Sequence, residues 1–494
     1  MPTDPILSVD FGTSYSLCGV IGQKGNVELV PTAGGKILLH SCISFFQNGS
    51  YVVGNPQLAQ VTNEGILSFS NIKRYLISET HFDIFGKRYS AAQLATLIIC
   101  SLKTSAEEYF GCAFKNAVVA KPTNFNLRQA KMLTEVFTQA GLNVCRMLDE
   151  GTAPCYLYPK AFTQQAALSS YVRFLVVDLG GGTLDLSVQD FEDGVYQTKA
   201  VLGNNRLGGI DYDLAVLALA ERKMKERYPI LANQNFEALL FEAERVKKAL
   251  SDMQHVSFLI KDYDLNDGNL TDFTVEISRN EFRECTSALN ERVSVYLLDV
   301  MRMATANEIP TQNDYNINAV MLTGQGAKIF TVRELINNMY PDIPVIDQFM
   351  ENAVCLGNGS QAGVLQGIVK NELLLSVHNS IFMIKAINKG FRDKDTIRLV
   401  ISMASTPALN TQFCNLINPN TTIPLKQHFN FQIEVSDPEQ KELILPIYEA
   451  DFQSGGIELL QELRASVNGG TNNMRLTLEI DANHQVSFYF RNIG

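Results

Sequence analysis

The chain has 494 residues, enough for about three structural units at ~150 residues each. Hydrophobic residues make up 46% and charged residues 19%, which excludes disorder over most of the length. A formal net charge of −11 argues against non-specific nucleic-acid binding, although a glycine-rich loop and a bound cation can still hold an anion locally.

Nine scattered cysteines without a CxxC pair, and only six histidines, point to a reducing compartment rather than a disulfide framework or a metal cluster. The start, MPTDPILSVDFG, has neither a basic segment nor a long apolar stretch. The run Leu94–Cys100 is far short of the ~20 residues a membrane span needs. The expectation is a cytoplasmic protein with no membrane or nucleic-acid partner.

Taken in chain order, Ile6–Ser14 (ILSVDFGTS) reads as a strand ending in Asp-x-Gly-Thr, with a second apolar run at Leu17–Ile21. Ala91–Phe110 and Asn126–Ala140 have helical composition, and Ala117–Ala120 is strand-like. Leu175–Thr183 (LVVDLGGGT) repeats the first pattern, followed by Leu184–Val188, and its Asp lies 168 positions after Asp10. That spacing fits either a duplicated two-lobe architecture or two unrelated hairpins in a large α/β protein.

A helix is predicted over Phe236–Leu250, where Phe236, Leu239, Leu240, Ala243, Val246 and Leu250 form one stripe at spacings of three and four. A third strand-to-glycine turn stands at Ala319–Gly326. Beyond Asn371–Val377 the helical period gives way to alternation: Phe429, Phe431, Ile433 and Val435; Met474, Leu476, Leu478 and Ile480; and Val486, Phe488 and Phe490 after a turn at Asp481–Gln485. The division is therefore an α/β body over 1–370, a linker over 371–377 and a β-rich domain over 378–494.

Asp-x-Gly-Thr between strands suits phosphate. Glycines leave the N–H groups of a tight turn open, while Thr13, Ser14 and Thr183 add hydroxyl donors. Asp10 and Asp178 cannot usefully meet a phosphate, but they could hold the waters of Mg2+. Gly208 and Gly209, in RLGGIDYD, are a third glycine pair. On the helix, Glu244, Lys247, Lys248 and Ser251 fall in one line, which is either a solvated charged face or a wall for a ribose and purine.

These residues carry a resemblance. SVDFGTSYS, NIKRYL, RMLDEGTAP, VVDLGGGTLDLSV, RLGGIDYD, EAERVKKALS, MLTGQGAKI and ENAVCLGNGSQAG are similar, in order, to segments of the DnaK-type, seventy-kilodalton heat-shock chaperones, within the actin and sugar-kinase superfamily. NTTIPLKQ, PIYEA and LEIDANHQVSF resemble that family's peptide-binding β-sandwich.

The resemblance implies an α/β, two-lobed, actin-like (duplicated ribonuclease H-like) ATPase domain followed by an antiparallel β-sandwich. It implies ATP or ADP with Mg2+, slow hydrolysis, unfolded or hydrophobic polypeptide as partner, a J-domain co-chaperone, an exchange factor and a monomeric chain. It makes Lys73, Glu150, Asp178, Thr183 and Asp10 the catalytic group, with Asp10 and Asp178 on the metal through water. Gly12, Thr13, Ser14, Tyr15, Gly180, Gly181, Gly182, Gly208 and Gly209 would surround the phosphates. Glu244, Lys247, Lys248, Ser251, Gly324 and Lys328 would bracket the adenosine. Pro122 and Arg128 fall at the family's proline switch and relay arginine, and Leu373, Leu374 and Leu375 at its docking linker.

The chain also departs from the pattern. Lys248 and Lys328 stand where the family has Arg, which stacks better on a base. Gln325 and Gly151 replace a glycine and a proline, Ser376 replaces an aspartate of the linker, and the loop from Pro122 to Arg128 is two residues short. The peptide arch cannot be aligned over 379–417; Phe413 and Leu443 are the candidate arch and pocket positions. Pro446 predicts an edge strand or a bulge, and the expectation is a member without the family's helical lid.

Three functions therefore stand at this point. They are a lidless ATP-dependent chaperone, a non-cycling ATP-binding co-chaperone that docks a fixed partner, and a small-molecule kinase, for which no acceptor-site aspartate is identifiable.

Overall fold

A computed structural model describes residues 4–32, 34–60, 65–76, 80–158, 171–227, 236–264, 270–305, 317–370, 373–375, 377–378, 381–385, 397–401, 413–417, 420–435, 439, 441–450, 457–482 and 484–493. The chain divides into two units, Met1–Leu374 and Leu375–Gly494.

The first unit is built on two six-stranded sheets. The order in one is Asn143–Asp149, Asn116–Lys121, Ile6–Phe11, Tyr15–Ile21 and Val27–Leu29, with Leu39–His40 also paired to Tyr15–Ile21. The other runs Val345–Ile346, Ala319–Thr323, Tyr171–Leu179, Leu184–Glu192, Val195–Asn204 and Leu373–Leu375. In both, the strand that ends in Asp pairs antiparallel with the strand after its turn and parallel with the strand on its other side. The repeated Asp-x-Gly pattern therefore marks the same place in two sheets of the same order.

Near-continuous apolar runs form these strands because both faces are covered. The strand residues Leu7, Val9, Phe11, Ala117 and Val119 share one core with the helix residues Leu94, Ile98 and Leu102. Leu175, Val177, Leu186, Val188, Val246, Phe282 and Leu297 share another. The helix Ala91–Phe110 starts at a reciprocal Ser90–Gln93 capping box and stops at Gly111 in the left-handed region, φ 67°. Asn126 and Gln129 cap Leu127–Gln139 in the same way.

The helix Ala353–Leu365 lies on the first sheet: Asn358 Nδ2 donates to Val9 O at 2.9 Å, and Cys355 Sγ is 3.4 Å from Ser8 Oγ. Its glycines allow that approach, since a Cβ on Gly357 would fall 1.9 Å from Ala153 O.

The helix predicted over Phe236–Leu250 spans Phe236–Ala249. Leu240, Ala243, Val246 and Leu250 are buried as the stripe requires, but Phe236, at the first turn, is exposed.

The second unit has two four-stranded antiparallel sheets. One is ordered Phe413–Asn415, Ile381–Lys385, Glu442–Ala450, Ile457–Ser466; the other Ile397–Ile401, Leu425–Val435, Gly470–Ile480, Val486–Asn492. Each alternating run of the sequence is a strand, and Met474, Leu476, Leu478 and Ile480 are buried. The rings of Phe382 and Phe488, one from each sheet, meet edge-on at 5.5 Å.

Pro446 is not on an edge strand, because Glu442–Ala450 has neighbours on both sides. Pairing with Ile381–Lys385 ends at Ile447, however, and the register with Ile457–Ser466 shifts between Ile447 and Tyr448, so the missing N–H falls at an irregularity. Leu443 is buried opposite Ala465. The side chain of Phe413, the residue Ser376 and most of 379–417 lie outside the described residues.

Candidate functional site

Both Asp-x-Gly turns open on one cleft of about 340 Å³ in the first unit. In the second turn Gly180 N–H donates to Thr183 O at 2.9 Å. The side chains of the first turn pack onto the bare glycines of the second, which has no room for a side chain of its own: a Cβ on Gly182 would lie 2.5 Å from Thr13 Oγ1. The third glycine pair packs behind them, with Gly209 N–H donating to Gly180 O at 2.9 Å and Ile210 N–H to Gly181 O at 2.8 Å.

Asp10, Gly12, Thr13, Ser14, Tyr15, Glu150, Asp178, Gly180, Gly181, Thr183 and Gly209 line the cleft. Gly182 and Gly208 do not; they support the turns from outside the lining.

Lys73 does not line the cleft either: it is buried behind it in an ion pair with Glu150, which does, so it is not a surface lysine. The Thr183 hydroxyl donates to the other Glu150 oxygen at 3.5 Å. Asp10, Asp178 and Asp185 are buried near the same pair. Burial first, and then the charge of Glu150, pushes the Asp10 carboxyl up to about 7 against the opposing effect of Lys73. The same causes, with Asp185 and Asp10 adding theirs, hold Asp178 well above the carboxylate range. Asp185 is raised to about 7 by burial and Glu150, and it accepts the Thr123 N–H at 2.5 Å.

Several acids around one lysine form a site short of positive charge. Among the described residues no three acid, cysteine or histidine side chains converge to hold a metal directly. That donor set fits a cation which keeps its own waters and takes few carboxylates, as Mg2+ does.

The opposite wall comes from the Phe236–Ala249 helix and the turn after Ala319–Thr323. Glu244, Lys247, Lys248, Ser251, Gly324 and Lys328 all line the cleft, so the charged line on the helix faces the cavity, with Lys248 half exposed there. Lys247 is buried, with Nζ 2.6 Å from Asp213 Oδ1 and donating to Gly209 O at 3.0 Å. Burial pushes Asp213 up to about 6 in spite of that lysine.

Lys248 Nζ lies 2.6 Å from Glu244 Oε1 and donates to Tyr15 OH at 3.0 Å. Burial works against its charge, but Glu244 and Tyr15 prevail and hold the ammonium pKa above its ordinary value. Lys328 is paired with Glu351.

Beyond the expected residues, the cleft is lined by Leu17, Leu38, Gln325, Gly326, Ile329, Met350, Glu351, Ala353 and Val354. Sequence reasoning also passed over Asp185. Its signal was an acid two positions after Thr183, at the second residue of the strand Leu184–Glu192 that leaves the glycine turn.

With this geometry in place, comparison with protein families gives a match: the family model described as Hsp70 protein covers residues 77–485. The chain belongs to the Hsp70 family. Hsp70 proteins are ATP-dependent chaperones, which accounts for a nucleotide-sized cleft between glycine turns. The match takes in Glu150, Asp178, Thr183 and both cleft walls of the second sheet, but starts after Asp10 and Lys73. Pro122 is buried beside Lys121, and Arg128 is exposed in the first turn of Leu127–Gln139. No helix among the described residues is long and apolar enough to cross a membrane.

Proposed function

We propose that this Hsp70 protein binds Mg·ATP in the cleft, hydrolyses it slowly and couples the nucleotide state to polypeptide binding by the second unit. The two sheets of the first unit would centre the two lobes of an actin-like ATPase, and the two sheets of the second a peptide-binding β-sandwich. One observation carries the reading: two glycine turns from sheets of the same order face each other over a buried Lys73–Glu150 pair and a group of acids.

In this reading the turn N–H groups and the hydroxyls of Thr13, Ser14 and Thr183 bind the phosphates, where positioning and charge stabilisation do most of the catalytic work. Lys73 places its ammonium toward charge that develops on the transferred group. Glu150 holds Lys73 and Thr183 in position and can orient a water. Asp185, with a pKa near 7, is suited to take that water's proton. Asp10 and Asp178 would hold Mg2+ through its waters, and the ion would neutralise phosphate oxygens. Polypeptide, a J-domain co-chaperone and an exchange factor are the partners this cycle needs.

A second reading is a non-cycling co-chaperone that keeps ATP as a structural ligand and docks a fixed partner. The observation on its side is that Lys248 and Lys328, on the cleft wall, are held in ion pairs with Glu244 and Glu351. Single-turnover hydrolysis of ATP separates the two. A cycling enzyme loses at least ~100-fold on Lys73→Ala, the scale of removing one charge-stabilising group; equal rates for the variant and the wild type leave the co-chaperone.

A further inference from the structure

Arg74 follows Lys73 in the short helix Ile72–Leu76, which belongs to the half of the first unit built on the first sheet. Its guanidinium reaches the other half. Nη2 donates to Gly182 O at 2.8 Å and to Asp211 Oδ2 at 2.6 Å. Asp211 stands in the first turn of the helix Gly209–Arg227 on the second sheet, and the same oxygen accepts the Gly208 N–H at 2.7 Å.

Three pieces of the second half's phosphate machinery thus converge on one side chain of the first: the Gly180–Thr183 turn, the Gly208–Gly209 turn and the helix behind it. Arg74 and Asp211 are an ion pair that joins the two halves. Both side chains are largely shielded, at 20% and 18% exposure, so solvent screens the pair less than a surface bridge. Neutral or singly charged hydrogen bonds also cross between the halves, Thr183 to Glu150, the Thr123 N–H to Asp185 and Lys248 to Tyr15, the last from a lysine that is 49% exposed and shared with Glu244.

We propose that Arg74 and Asp211 form a latch that sets the rate at which nucleotide leaves the cleft. The latch rests on the nucleotide-binding reading and adds a positioning role to it. Neither residue lines the cavity. Arg74 acts by holding the second turn, through the Gly182 carbonyl, against the first half, and the halves cannot part without breaking both of its bonds. The guanidinium is suited to this because its planar fork serves a carbonyl and a carboxylate at once, whereas a lysine ammonium is a point charge on a flexible stem.

The test is release of a fluorescent ADP, with Mg2+, from the full chain, chased with excess ATP. Arg74→Gln and Asp211→Asn should each speed release about tenfold, a loss of the size expected for a charge-assisted bond. Asparagine can still accept the Gly208 N–H, so that variant removes the charge and keeps the local bond. Arg74→Lys should recover part of the slow release, and the double variant should be no faster than Arg74→Gln alone, because that change already removes the ion pair along with the bond to Gly182. Arg302→Gln, an exposed arginine elsewhere, should leave release unchanged.

Unchanged release in Arg74→Gln and Asp211→Asn, or effects that simply multiply in the double variant, overturns the latch while nucleotide binding stands. A wild-type chain that binds no fluorescent ADP overturns the nucleotide reading and the latch together.

Discussion

Asp10 and Asp185 hold protons that ordinary carboxyls have shed by neutral pH, each having been pushed up to about 7. A cation at the floor of the cleft favours their charged forms, so binding Mg·ADP at pH 7 should release protons, and affinity should fall as the pH drops from 8 to 6. Calorimetry in buffers of different ionisation enthalpy measures the release directly. The sign for stability is opposite. Without a cation the folded chain binds more protons than the unfolded chain between about pH 4 and 7, so these two groups make it less stable as pH rises through that window. Asp10→Asn and Asp185→Asn should flatten that slope in denaturant titrations. How far such residues could be read in advance depends on distance along the chain. Asp10, Asp178 and Thr183 declare themselves within a few positions of a glycine turn. Arg74 and Asp211 are 137 residues apart, and no local pattern pairs them.

Elements followed from period and punctuation wherever one face decides. The strands of the second unit alternate, and the helices expected from composition over Ala91–Phe110 and Asn126–Ala140 are found at Ala91–Phe110 and Leu127–Gln139. Phe236 shows the limit: a stripe predicts which face is apolar, while whether the first turn finds a cover depends on the tertiary surroundings. Pro446 shows another, since a missing N–H can sit in an inner strand where pairing lapses beside it. The helix Ala353–Leu365 is the least helix-like by composition, with three glycines at roughly 1 kcal/mol each against alanine. Close packing is what holds it. Gly357→Ala, normally a helix-favouring change, should destabilise the first unit by about 1–3 kcal/mol through the clash with Ala153, as urea unfolding would show.

At the scale of the molecule, the last strand of the second sheet is the segment at the boundary between the units. Leu373–Leu375 runs beside Val195–Asn204, and Leu374 is buried with Val176, Tyr196 and Met321. A fragment ending at residue 375 should therefore unfold at higher denaturant than one ending at 370, and Leu374→Ala in the longer fragment should remove about 2–5 kcal/mol. In the sequence this stretch reads as a linker, because its polar flanks mark a boundary and nothing in three leucines names the sheet edge that receives them. Cys355 offers a different kind of consequence. Its thiol is fully buried against Ser8, and burial raises its pKa well above the free value, so the closed protein presents almost no thiolate. An alkylating reagent can reach it only while the Ala353–Leu365 helix is lifted from the first sheet. The rate at which Cys355 is labelled is therefore a gauge of how readily that helix opens, counting single excursions once the reagent is concentrated enough to outpace reclosing, and it comes built into the native chain.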